Sequence, residues 1–121
     1  MELRIDPAAE QAILSALRAG DIRQAARPMV QYHGVAVYES CCSMVGDVEE
    51  AEDLTQSVFA RAFALLAGFR GELNSRQWLL EVGRRRCEEY LEASPRRAGS
   101  TEATGIGESL RRRLEVLASA V

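Results

Sequence analysis

Asp53 and Gln56 lie within the stretch Gly46 to Phe59, GDVEEAEDLTQSVF, three residues apart on a helical face that carries no core residues. A carboxylate and an amide facing outward together can hold a partner protein by charge and hydrogen bonding, and a plain solvated face is the alternative. Glu49 and Ala60 fall on the same side at helical spacing. A second set is basic. Arg84, Arg85 and Arg86 follow one another, and with Arg70, Arg76, Arg96 and Arg97 they form a candidate phosphate-holding surface, because the guanidinium fork suits phosphate. Glu81 to Arg85, Arg84 to Glu88 and Arg85 to Glu89 are each four apart, so intrahelical ion pairs worth about 0.2–0.5 kcal/mol apiece compete for the same arginines. Phe69 and Trp78 are candidate platforms for an unpaired base, with burial in the core as the alternative.

His33, Cys41, Cys42 and Cys87 are the soft metal ligands of the chain, and their spacing matches no structural zinc site. There is no Gly-rich phosphate loop, nucleophile elbow or recognisable carboxylate pair. The expectation is a protein that is not an enzyme, with no catalytic residue, no metal and no cofactor.

The elements that position these residues are read from helical periodicity. Asp6-Pro7 is an N-cap followed by Pro at the first helical position, with Ile13, Leu14 and Leu17 as an apolar stripe and Gly20 as the stop. Asp21 caps the next segment, which Pro28 and Gly34 break into two short helices or one bent one, with Val30, Val35, Val37, Tyr38 and Cys41 inward. Asp47 and Glu50 form a capping box for a helix running to about Ala67, its apolar face made of Ala51, Leu54, Val58, Phe59, Ala62, Phe63, Leu65 and Leu66. GFRGELNS is a loop, and Ser75 caps a long helix from Arg76 to about Ala93 that buries Trp78, Leu79, Val82, Cys87, Tyr90 and Leu91. Residues 1–95 form one helical domain, 96–107 a flexible linker, and 108–121 a short amphipathic helix.

At 121 residues with 47% hydrophobic and 6% aromatic content, the chain is an all-α protein able to bury one core. Its longest apolar runs fall far short of the roughly 20 residues that span a bilayer, and its N-terminus lacks the pattern of a signal peptide. Three cysteines with no disulfide framework agree with a reducing compartment, so the expected location is the cytoplasm. The net charge of −3 is uneven: residues 1–68 hold 5 Arg against 10 acids, and residues 69–97 hold 7 Arg against 5 acids. Acidic and basic surfaces are therefore segregated along the chain.

The stretch GDVEEAEDLTQSVFARAFALLAGFRGELNSRQWLLEVGRRRCEEYL resembles the second conserved region of extracytoplasmic-function (ECF) sigma factors, and ALRAGDIRQAARPMVQYHGVAVY fits the first part of that region. The likeness covers roughly residues 15–95 and implies a compact helical bundle. It also implies a partner for the acidic helix, the β′ clamp helices of core RNA polymerase, met by Glu49, Asp53, Gln56, Ser57 and Ala60. The family's loop and following helix take the non-template strand of the promoter minus-ten element with one base flipped out. Those roles map onto Phe69, Arg70, Gly71, Asn74, Ser75 and Arg76 in the loop, and onto Arg84, Arg85 and Arg86 in the helix.

Three positions depart from the family pattern. Ser57 stands where an acid is usual, Arg85 stands where Asn is common, and Glu88 and Glu89 add negative charge to the DNA-facing helix. Residues 108–121 are either a short helix or the truncated start of the family's fourth region. The resemblance thus implies a sigma region-two domain in transcription initiation, with promoter DNA and an anti-sigma factor as further partners. Two alternatives remain: a sigma-like regulator that binds polymerase or an anti-sigma factor without productive promoter recognition, and a helical interaction module that forms a homodimer.

Overall fold

The computed structural model describes residues 6–69 and 74–121. Among the described residues the order is α1 (Pro7–Arg18), α2 (Ile22–Cys42), α3 (Val48–Leu65), α4 (Ser75–Ala93) and α5 (Glu108–Ser119), with 3-10 turns at Leu66–Gly68 and Pro95–Arg97. The all-α expectation holds.

Each early helix starts where a short acidic side chain can satisfy a free backbone N–H. The Asp6 carboxylate accepts from Ala8 N at 2.9 Å, Asp21 from Gln24 N at 3.1 Å and Asp47 from Glu49 N at 2.8 Å. Gly20 takes φ 76°, a left-handed turn that costs a residue without Cβ little, and the chain doubles back into α2.

That second helix is continuous, neither split nor interrupted at Pro28. Proline removes one backbone N–H, yet Ala25 and Ala26 before it and Met29, Val30, Val37, Tyr38 and Cys41 after it all pack into the same core. Burial on both sides of the proline outweighs one missing hydrogen bond. The continuity also corrects the placing of Val35. Five residues past Val30 it is rotated about 140° from the buried line, and it is 49% exposed.

Helix α3 lays Ala51, Leu54, Val58, Phe59, Ala62 and Phe63 against α2 and α4 and ends at Leu65, two residues short of the expected stop. The expected capping box does not form as such: the Glu50 carboxylate accepts instead from the Tyr90 hydroxyl and from Arg97 Nη1, the latter at 2.9 Å. Where α3 and α4 cross, Gly83 brings its backbone close to Val58, whose methyl carbons lie 3.6 and 3.7 Å from where a Cβ would sit. Helix α4 is capped by Asn74, which accepts from Gln77 N at 2.8 Å, and not by Ser75, which is already helical.

After α4 the segment read as a linker runs back over the turn between α2 and α3. Gly99 N donates to Met44 O at 3.1 Å and Thr101 N to Cys42 O at 2.8 Å, and Val45 and Ala98 form a single antiparallel bridge. Ile106 then packs toward Gly34, and α5 buries Leu110, Leu114 and Ala118 in the common core against α2 and α3. The terminal helix therefore contributes directly to the same bundle.

Candidate functional site

Helical geometry alone places Glu49, Asp53, Gln56 and Ala60 in one line, because steps of four, three and four residues return to the same face. In the structure Glu49, Asp53 and Ala60 are exposed and Gln56 is half-buried. Ser57 lies to the side, toward α4, where its hydroxyl accepts from Arg86 Nε at 2.8 Å. Arg86 thus belongs to the junction of α3 and α4 as well as to the basic run.

A residue from outside this stretch completes the face. Arg113 of α5 donates through Nη1 to Asp53 Oδ1 at 3.1 Å and to Gln56 Oε1 at 3.0 Å. The periodicity of ESLRRRLEVL shows that α5 is amphipathic, but nothing local shows which face of the bundle its polar side meets.

The basic surface is drawn largely into internal pairs. Arg84 is held by Glu81 on one side and by Glu88 at 2.6 Å on the other, which raises its pKa and lowers that of Glu81 through the hydrogen bonds. Arg85 reaches Glu81 at 3.5 Å and is otherwise well exposed. The expected Arg85–Glu89 pair is replaced by Arg61 of α3, which binds Glu89 at 2.8 Å and lowers its pKa.

The start of α4 holds a buried polar chain that local pattern did not reveal. Arg76 Nε donates to His33 Nδ1 at 3.2 Å, His33 Nε2 lies 2.7 Å from Ser75 Oγ, and Ser75 Oγ donates to Glu10. Arginine is only a donor, so His33 Nδ1 is unprotonated and the ring hydrogen sits on Nε2, facing Ser75. Burial, followed by the nearby Arg76 charge, pushes the His33 pKa down to about 4. Ser75 N also donates to Glu10 Oε2 at 2.8 Å, and Arg76 Nη2 donates to Tyr32 O at 2.8 Å.

Serine, histidine and a carboxylate in contact suggest a hydrolytic triad, but the order is wrong for one. The hydroxyl donates to the acid, the histidine donates to the hydroxyl, and Ser75 is fully buried. The cluster ties α1, α2 and α4 together at the first turn of α4.

Of the loop residues themselves, Phe69 is only 9% exposed and packs on Trp78 with ring centroids 4.9 Å apart. Asn74 spends its side chain as the α4 cap, and Ser75 faces inward. Arg70 and Gly71 lie outside the described residues.

The thiols are separate from His33. Cys41 and Cys87 Sγ lie 3.7 Å apart in the core, where the contact with Cys87 and burial push the Cys41 thiol up and the same contact pulls Cys87 down. Among the described residues no three His, Cys, Asp or Glu side chains gather as a metal site would require, and no helix is long and apolar enough to cross a membrane.

Comparison with known proteins finds that residues 29–97 match the family described as Sigma-70 region 2. Two curated relatives, each an ECF RNA polymerase sigma factor SigG, come from the CDC 1551 / Oshkosh and H37Rv strains of Mycobacterium tuberculosis. Each is 35% identical over 78 residues, which is 60% of this chain and 21% of the relative. The alignment therefore spans about a fifth of those relatives' length. No solved structure matches the chain at a significant level.

Proposed function

Because the chain belongs to the Sigma-70 region 2 family, as a region-two domain of the ECF type, we propose that it binds core RNA polymerase through α3, with Asp53 and Gln56 as the principal contacts. The observation that carries this reading is the outward row of Glu49, Asp53, Gln56 and Ala60 on α3, inside the matched segment. The β′ clamp helices are the partner, and Ser57, at the rim toward α4 with its hydroxyl accepting from Arg86, brings no charge to the contact. In the same reading the loop ending at Arg76 and the arginines of α4 approach the minus-ten element. Guanidinium groups position the phosphates there, and the loop takes an unstacked base.

A second reading has its own support. Arg84 is shared by two glutamates, Arg86 is bonded to Ser57, and Arg76 is bonded to His33 and Tyr32 O. Phosphate contacts would have to displace these partners. That favours a sigma-like regulator that binds polymerase or an anti-sigma factor without productive promoter recognition.

The test is binding to core polymerase, or to the clamp helices alone, by the native chain and by Asp53→Ala with Gln56→Ala. Loss of binding in the variant at unchanged helix content is the expected result, and equal binding by both proteins refutes the docking assignment. Promoter DNA added to the complex then separates the two readings. Under the first, changing Arg84, Arg85 and Arg86 to Ala flattens the salt dependence of DNA affinity; under the second there is no salt-dependent DNA term to lose.

A further inference from the structure

Asp53 and Gln56, the two groups given the principal part in docking, already share one cation within this chain. Arg113 Nη1 bonds both, and α5 is held beside α3 by buried Leu110, Leu114 and Ala118. We propose that α5 is a cis-acting occupant of the α3 face, and that Arg113 must release Asp53 and Gln56 before an external partner takes them. This rests on the docking reading of α3 and adds a control to it.

The contact is built to let go. The Asp53 side chain is 78% exposed, so water screens its pair with Arg113, and an exposed pair of this kind adds little stability. Arg113 Nε is buried without an acceptor among the described residues, so the guanidinium is incompletely satisfied where it sits. Beside the pair an open groove of about 490 Å³ runs between Gln56 and α5, lined also by Arg112 and Val116. An incoming side chain can therefore reach Gln56 while α5 is still in place. The aliphatic anchors of α5 hold the helix near α3, so the competing cation stays at high local concentration.

The experiment titrates the isolated β′ clamp helices onto the native full chain, Arg113→Ala and Arg111→Ala. Arg111 is exposed on the same helix and loses the same charge, so it controls for net charge. Removing a competitor of this strength raises affinity by about threefold in Arg113→Ala, with Arg111→Ala close to native. Arg113→Gln, which keeps most of the side-chain stem, is read the same way if Arg113→Ala fails to fold. Binding by the native chain with no gain, or with a loss, in the Arg113 variants overturns the proposal and leaves the docking assignment standing. Absence of binding by every variant removes the docking assignment and this proposal with it.

Discussion

Acidification tests the buried chain at the start of α4 through its one histidine. His33 is neutral in the folded protein, with Arg76 Nε–H directed at its bare Nδ1. Protonation would set an N–H against that donor inside the core, which agrees with a pKa lowered from 6.5 to about 4. The unfolded chain therefore binds the proton first. The neutral ring's contribution is complete above pH 6.5 and is lost as pH falls toward about 4. At about 1.4 kcal/mol per pH unit the full loss is about 3 kcal/mol, of which about 2 kcal/mol falls between pH 7 and pH 5, before most carboxylates titrate. For a chain of this length that is a drop of about 8 °C in Tm.

The assay is thermal unfolding at pH 7 and pH 5 for the native chain and for His33→Gln, together with the imidazole proton resonances followed by NMR. With a single His in the sequence those resonances need no assignment. The variant should lose most of the pH dependence, and the ring should titrate near 4. A ring midpoint near 6.5, or an equal pH 7 to pH 5 loss in His33→Gln, would refute the account. Glu10 and Arg76 face the ring's network from α1 and α4, so Glu10→Gln should shift the midpoint without restoring an ordinary value.

Two further outcomes concern packing. Gly83→Ala adds a methyl at van der Waals distance from Val58 and removes a flexible residue from the middle of α4; urea unfolding should show a gain of about 0.5–1 kcal/mol, and a loss would mean that the contact with Val58 has no room for a methyl. Leu114→Ala empties a core position that is 1% exposed and should cost about 2–5 kcal/mol, whereas a cost under about 1 kcal/mol would mean that α5 is not part of the cooperative unit.

Much of the candidate docking face was legible in the chain before any folding was considered. Asp6, Asp21 and Asp47 mark helix starts because capping is settled within two or three residues. The row Glu49, Asp53, Gln56 and Ala60 follows from the helical repeat alone. The choice between two short helices and one through Pro28 was not legible, since proline is a local break signal and only packing on both sides of it decides the outcome.

Which polar groups meet was decided by tertiary structure. Glu50 had a local role available as half of a capping box, but Tyr90 and Arg97 take it once α4 and the following turn pack beside α3. Ser75 looked like a helix cap and a loop contact, yet Glu10, 65 residues away, and His33 turn its hydroxyl inward. Arg113 reaches Asp53 across 60 residues because Leu110, Leu114 and Ala118 seat α5 in the core and leave its polar edge against α3. Residue types and the helical repeat are local properties, so the sequence alone determined the early helix starts and the row of residues along α3. Partners separated by 60 residues depend on how those helices pack, and only the folded bundle decided that Asp53 and Gln56 would meet an arginine of their own chain.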